Sequence, residues 1–211
     1  STSLTAYDDQ FETLKKTRIK LTPADLEKSP IESKVLNHGY GYVRIKYFLS
    51  TTDPAKELEQ IILDFQKQNV KGLILDLRDN PGGEDELAAL MAGNFTTEEK
   101  HYEHVSYYNR NTHSFKLNPL ETLRVIPSKV VFTGPIAVLI NHRTGSSSEG
   151  IPLMLKGQSN VIIVGSTGTN GSFGIISRPI TFEMPEDYIV QFPDGRSLNE
   201  NMEIQLDSNG K

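Results

Sequence analysis

Three consecutive serines, Ser146, Ser147 and Ser148, stand between Gly145 and Glu149, shortly after the apolar run PIAVLI. A serine that attacks a carbonyl needs a sharp strand-to-helix turn, which presents its hydroxyl outward and offers the next residue's N–H to an oxyanion, and it needs small neighbours. The order strand, Gly145, Ser146, helix has that layout. It is not the G-x-S-x-G elbow, and serine is also a common N-cap, so the pattern alone favours a cap. A second loop, DLRDNPGG (Asp76 to Gly83), follows another apolar run. Gly82 and Gly83 can bring backbone N–H groups close to a ligand without side-chain obstruction, although the glycines alone are read more simply as a tight βα turn. A third loop, GSTGTNGSFG (Gly165 to Gly174), has no lysine and no P-loop pattern, and reads as a flexible loop beside a site.

Composition narrows the chemistry. The chain has no cysteine, which excludes disulfides, thiolate metal sites and a cysteine nucleophile, so covalent catalysis must use Ser, Thr, Lys or a carboxylate. None of the five histidines (His38, His101, His104, His113, His142) falls in an H-E-x-x-H spacing; HYEH offers at most a solvated pair. No metal and no cofactor is assigned. A net charge of −5 without a clustered Lys/Arg stripe argues against nucleic acid as a partner. No apolar run approaches the roughly 20 residues of a membrane span. The opening STSLTAYDDQ has no Met, basic region or apolar core, and reads as a processed or cut end, not a targeting signal.

The elements that must position these loops are legible in part. With 211 residues, 36% hydrophobic and 23% charged, the chain suits one compact unit, or one domain plus a fragment of another. GYGYVRI (Gly39 to Ile45) alternates as a half-buried strand does. TTDPAKELEQIILDFQKQN predicts a helix with Asp53 as N-cap and Pro54 at its first position, with Ala55, Leu58, Ile61, Ile62 and Phe65 on one face. VKGLILDL is a strand buried on both faces of a parallel sheet, completing a βαβ unit. EDELAALMAG reads as a second helix with acidic residues in its first turn. HYEHVSYYNRNTHSFKLN is polar and unassigned.

PIAVLI, the serine turn, a helix to Lys156 and VIIVG form a second βαβ unit. Pro152 inside that helix removes a backbone hydrogen bond and favours a short or kinked start. The rest, GIISRPITFEMPEDYIVQFPDG, is strand-rich, with a hairpin turn near Pro185-Glu186-Asp187, and forms an antiparallel edge or side sheet. Before Gly39 the chain is polar, with one strand-like piece, FETLKKTRIKL, followed by a proline-containing linker.

Taken in order, GYGYVRIKYF, LEQIILDFQKQNVKGLILDLRDNPGG, IAVLINHRTGSSSEG and NVIIVGSTGTNGSFG resemble the carboxyl-terminal processing, or tail-specific, serine peptidases, which include relatives of the tricorn core. The resemblance runs from about Ile31 to at least Gly174. It implies an α/β fold with a crotonase-like (ClpP/crotonase) spiral core, βαβ units and additional antiparallel strands, usually carried after a PDZ peptide-binding domain and a helical segment. Residues 1–30 would then be the remnant of a PDZ-like domain plus linker, and 31–211 a peptidase core cut before its own end. The family's S-A-S-A-S-E falls on Thr144 to Glu149, which makes Ser146 the nucleophile. The N–H groups of Ser147 and of Gly82 or Gly83 become the oxyanion hole. The implied partner is a peptide or protein substrate, and the implied location is extracytoplasmic.

The sequence departs from the family at the general base. The tail-specific branch uses a lysine in the loop after VIIVG, a place held here by Ser172 or its neighbours; the places that support that lysine hold Ile176 and Gly157. The tricorn-like branch uses a histidine in a D-x-H-T/S motif, and no histidine here lies in one. Two expectations follow: a peptidase whose base comes from outside this chain, or a catalytically inactive relative that binds peptides or other ligands.

Overall fold

A computed structural model describes residues 24, 27–176 and 180–205. The strand-like FETLKKTRIKL lies outside these residues. Strand β1 (Ile31–Leu36) pairs antiparallel with β2 (Tyr40–Ile45), Ile31 opposite Ile45. IESKVL is therefore an edge strand. Only Ile31 of β1 is buried, and the polar remainder suits an edge that must not recruit another chain. In β2 the alternation is as expected, with Gly41, Val43 and Ile45 buried.

Helix α1 (Pro54–Lys67) starts where Asp53 accepts a hydrogen bond from Lys56 N–H at 3.1 Å, with proline holding the first helical φ. Its Leu58, Ile62 and Phe65 are buried, each stabilising the fold by roughly 1.5–3 kcal/mol. The chain returns as β3 (Leu73–Asp76), parallel to β2, and next to β3 on its other side runs β6 (Ile136–Leu139), again parallel. Helix α2 (Asp85–Ala92) lies on the connection between β3 and β6; helix α3 (Ser147–Leu155) joins β6 to β7 (Val161–Val164). The sheet order β1-β2-β3-β6-β7 follows chain order, so the parallel strands wind steadily in one direction.

The polar stretch that the sequence leaves unassigned is a long hairpin, β4 (Lys100–Asn109) and β5 (Ser114–Val125). With β8 (Ile175–Ile176) and β11 (Gly195–Leu198) it makes an antiparallel sheet of order β5-β4-β11-β8. β9 (Ile180–Glu183) and β10 (Ile189–Phe192) form a separate hairpin around the turn at 185–187. One continuous core joins the parallel sheet, the three helices, and Tyr102 and Val125 of the second sheet. Among the described residues no helix is long and apolar enough to cross a membrane.

Candidate active site

Strands β3 and β6 are neighbours in register, Asp76 opposite Leu139, so the loops that leave their carboxyl ends abut. Sites gather at this edge of a parallel sheet, where helix N-termini and free N–H groups converge. Thr144 Oγ1 donates to Leu77 C=O at 2.9 Å and Gly145 N–H to Asn80 C=O at 2.9 Å, while Ser148 Oγ donates to the same Asn80 carbonyl at 2.8 Å. Asn80 is fully buried. Its Nδ2 donates to Ile45 C=O at 3.0 Å and its Oδ1 accepts from Gly82 N–H at 2.8 Å. Asp76, at the root of the loop, is also buried; burial alone would raise its pKa, but the Arg78 fork at 2.9 and 2.6 Å and the Tyr42 hydroxyl at 2.7 Å hold the carboxyl below the usual range.

Ser146 occupies the N-cap position of α3, but with φ 54° and ψ −131°. The cap that the pattern favours is present, with Glu149 in a capping box, but its backbone is not the extended one of an ordinary serine cap. A non-glycine residue in so sparsely populated a region costs roughly 1–3 kcal/mol and persists only where its surroundings over-determine it. Here they do. The Ser146 N–H points at Glu149 Oε2 (2.7 Å) and Ser172 Oγ (2.8 Å). The buried Glu149 carboxylate also accepts from Gly171 N–H (2.7 Å), Ser172 N–H (2.9 Å) and Ser172 Oγ (3.0 Å). Asn170 N–H donates to Thr144 C=O at 2.8 Å.

The Gly165 to Gly174 segment lies beside the site as expected, tied to the serine turn by its own backbone. Ser172 lies against Ser146, its hydroxyl accepting from the Ser146 N–H and donating to the Glu149 carboxylate.

Gly82 has φ +97°, and a Cβ there would fall 2.7 Å from both Gly145 O and Ser146 Cβ and 2.9 Å from Ser147 N. Only glycine permits this approach of the two loops. Of the two candidate oxyanion donors in this loop, the Gly82 N–H is committed to Asn80. Gly83 is bridged to Phe48 through its neighbours, Gly82 C=O (2.9 Å) and Glu84 N–H (2.8 Å), so its own N–H takes no part in the bridge. Its carbonyl accepts from Ser147 Oγ at 2.9 Å, which sets the loop beside the helix start. Ser147 is the first residue of α3, where an N–H has no acceptor within the helix. Pro152 lies inside α3, beyond the first turn, and the helix is short at nine residues.

The histidines do not converge on the serine. His38 sits in the turn after β1 with φ 72°, His113 at the tip of the β4–β5 hairpin with φ 48°, and His142 is exposed in the serine loop. His101 and His104 are half-buried, not the solvated pair expected: their rings are 4.3 Å apart, one nitrogen meeting Leu198 C=O and another Thr122 Oγ1. Among the described residues no hydrogen bond joins Ser146 Oγ to a histidine, an ammonium or a carboxylate. Among the same residues no three His, Asp or Glu side chains are grouped to hold a metal.

Comparison with known proteins gives the constellation its setting. The profile of Peptidase family S41 matches residues 39–210. The Carboxy-terminal processing protease CtpA of Bacillus subtilis (strain 168) is 35% identical over 141 residues, which is 65% of this chain and 28% of that protein. The Carboxyl-terminal-processing peptidase 3, chloroplastic, of Arabidopsis thaliana is 28% identical over 169 residues, covering 74% of this chain and 29% of that protein. The chain thus spans less than a third of the length of these relatives. The solved photosystem II D1 C-terminal processing protease superposes with a TM-score of 0.62 at 19% identity, over 89% of this chain and 48% of its own, a likeness of fold.

Proposed function

The chain belongs to peptidase family S41, and from that premise we propose that it is the core domain of a serine peptidase that cleaves peptides or protein C-termini by acyl transfer from Ser146. One observation carries the reading: Ser146 stands in a strained backbone conformation at the start of α3, with the Gly82 backbone pressed against it. Ser146 Oγ forms a bond to the scissile carbonyl carbon as its proton passes to a base from outside this chain. The carbonyl oxygen, now negative, accepts hydrogen bonds from Ser147 N–H and from Gly82 or Gly83 N–H. Gly83 is favoured, because the Gly82 N–H is already donated to Asn80. Each such donor supplies roughly 10²–10³ in rate. Collapse breaks the C–N bond, the base returns its proton to the leaving amine, and water then cleaves the acyl-serine. Substrate lies extended along a strand edge. In the same reading, residues 1–30 close a preceding PDZ-like domain, 31–211 form the core, and the protein works outside the cytoplasm.

The hydroxyl of Ser172 in the place of an amine favours a second reading: a peptide-binding relative that kept the fold and lost the base. Peptide hydrolysis by the full-length protein separates the two. The peptidase reading predicts turnover that Ser146→Ala lowers by about 10⁴-fold or more, in line with loss of a nucleophile. Binding of peptides without hydrolysis supports the second reading.

A further inference from the structure

We propose that the acidic cavity between the start of α2 and the β4–β5 hairpin receives a lysine or arginine side chain of the bound peptide, a specificity site that rests on the peptidase reading above. The cavity has a volume of about 360 Å³, within the range of ligand sites, about 300–1,000 Å³. Glu84, Asp85 and Glu86 line it from the helix start, Glu103 from β4 and Glu121 from β5, and no basic residue is among its lining residues. Leu120 and Leu123 add an aliphatic wall, which suits the stem of a long cationic side chain.

The independent pointer to a ligand is Glu103. It is only 4% exposed, and its Oε2 has no hydrogen-bond partner. A buried carboxylate oxygen left unpaired is costly, and a cation removes that cost by supplying the missing partner. Burial first, then the Asp85 and Glu121 charges, push the Glu103 carboxyl up to about 7, against the opposing pull of the Ser197 hydroxyl. At neutral pH it is close to its midpoint, and an arriving ammonium or guanidinium completes its ionisation. Among the described residues no three acidic or histidine side chains converge closely enough to hold a metal ion, so an elongated organic cation fits better than a compact inorganic one.

The cavity also adjoins the proposed chemistry. Glu84 directly follows Gly83, and the Asp85 carboxyl contacts the Ser147 hydroxyl and lies 3.2 Å from the Tyr102 hydroxyl, itself 3.3 Å from Ser147 C=O. A side chain held there belongs to a residue near the scissile bond.

The test measures binding of two fluorescent peptides, identical except for lysine or norleucine at one position, to full-length protein carrying Ser146→Ala. At pH 8 we expect some position at which lysine binds at least about tenfold tighter, the range of a close charge pair. Glu103→Gln should shrink that preference to about threefold or less. Glu86→Gln, at an exposed position where folding is not at stake, should shrink it partially. Equal binding of the two peptides at every position, no binding of either, or a full preference surviving both substitutions overturns the proposal. Hydrolysis without a lysine preference sinks this inference alone. A Glu103-dependent lysine preference without hydrolysis sinks the peptidase reading and leaves the site as one for binding.

Discussion

Two buried glutamates meet opposite fates. The Glu149 carboxylate accepts from three backbone N–H groups and one hydroxyl, all between 2.7 and 3.0 Å, and knots the serine turn to the loop after β7. Glu103 is buried as deeply, yet one of its oxygens has no partner and two of its charged neighbours, Asp85 and Glu121, are acids. The first arrangement spends a charge on rigidity, since charge-assisted bonds are roughly twice as strong as neutral ones and hold Ser146 in a conformation it would not choose. The second keeps a charge in reserve for something that arrives. Preorganised hydrogen bonding marks a place where geometry must not change; an unsatisfied acid in a cavity marks a place where a partner is missing.

The same isosteric substitution in the two regions should therefore have opposite signs. Glu149→Gln replaces an acceptor of four donors by an amide that turns its own NH₂ toward some of them. We expect a loss of about 3 kcal/mol in denaturant unfolding, from weakened charge-assisted bonds and one frustrated donor pair. A loss below about 0.5 kcal/mol would mean that the knot is not what holds the turn.

Glu103→Gln is the smaller effect and depends on pH. The Glu103 pKa is raised on folding from the ordinary glutamate value of 4.5 to about 7. Below pH 4.5 the group is protonated in both states, and its favourable contribution is fully present. As pH rises through 4.5 and on through 7, the unfolded chain ionises first and that contribution is lost. At about 1.4 kcal/mol per pH unit the loss is bounded at about 3 kcal/mol, and solvent reaching the cavity lowers it to about 1–2 kcal/mol. The glutamine variant, which has no charge to bury, should match the wild type at pH 4 and be more stable at pH 8. Equal destabilisation at both pH values would show that Glu103 is an ordinary structural acid and would erase the contrast with Glu149.

The regions also differ in how far the sequence discloses them. The βαβ frame was readable because its strands are apolar runs and α1 carries Leu58, Ile62 and Phe65 at helical spacing behind a capping Asp53. The three loops were readable as glycine-rich turns after those strands, and their meeting follows from the adjacency of β3, β6 and β7. The roles of Asn80 and Glu149 were not. A buried asparagine before Pro81-Gly82-Gly83 looks like any turn asparagine, and Glu149 looks like a dipole-satisfying acid in a first helical turn. Only the fold shows what their side chains reach.

The acidic cavity was invisible for a different reason. β4 carries register shifts between His101 and Glu103 and between His104 and Val105, so its buried residues, Tyr102, Glu103, Val105 and Ser106, break the two-residue period by which a strand is recognised. β1 escaped notice as well, since an edge strand with one buried residue has no alternation to read.

The central claim is that Ser146 is a nucleophile, and covalent labelling of the full-length protein with a fluorophosphonate, followed by mass mapping of the adduct, tests it most directly. The account predicts a single adduct on the peptide containing Ser146, located on Ser146 and not on Ser147 or Ser148, and absent in Ser146→Ala. A folded full-length protein that acquires no adduct, or one modified equally at another serine, would contradict it.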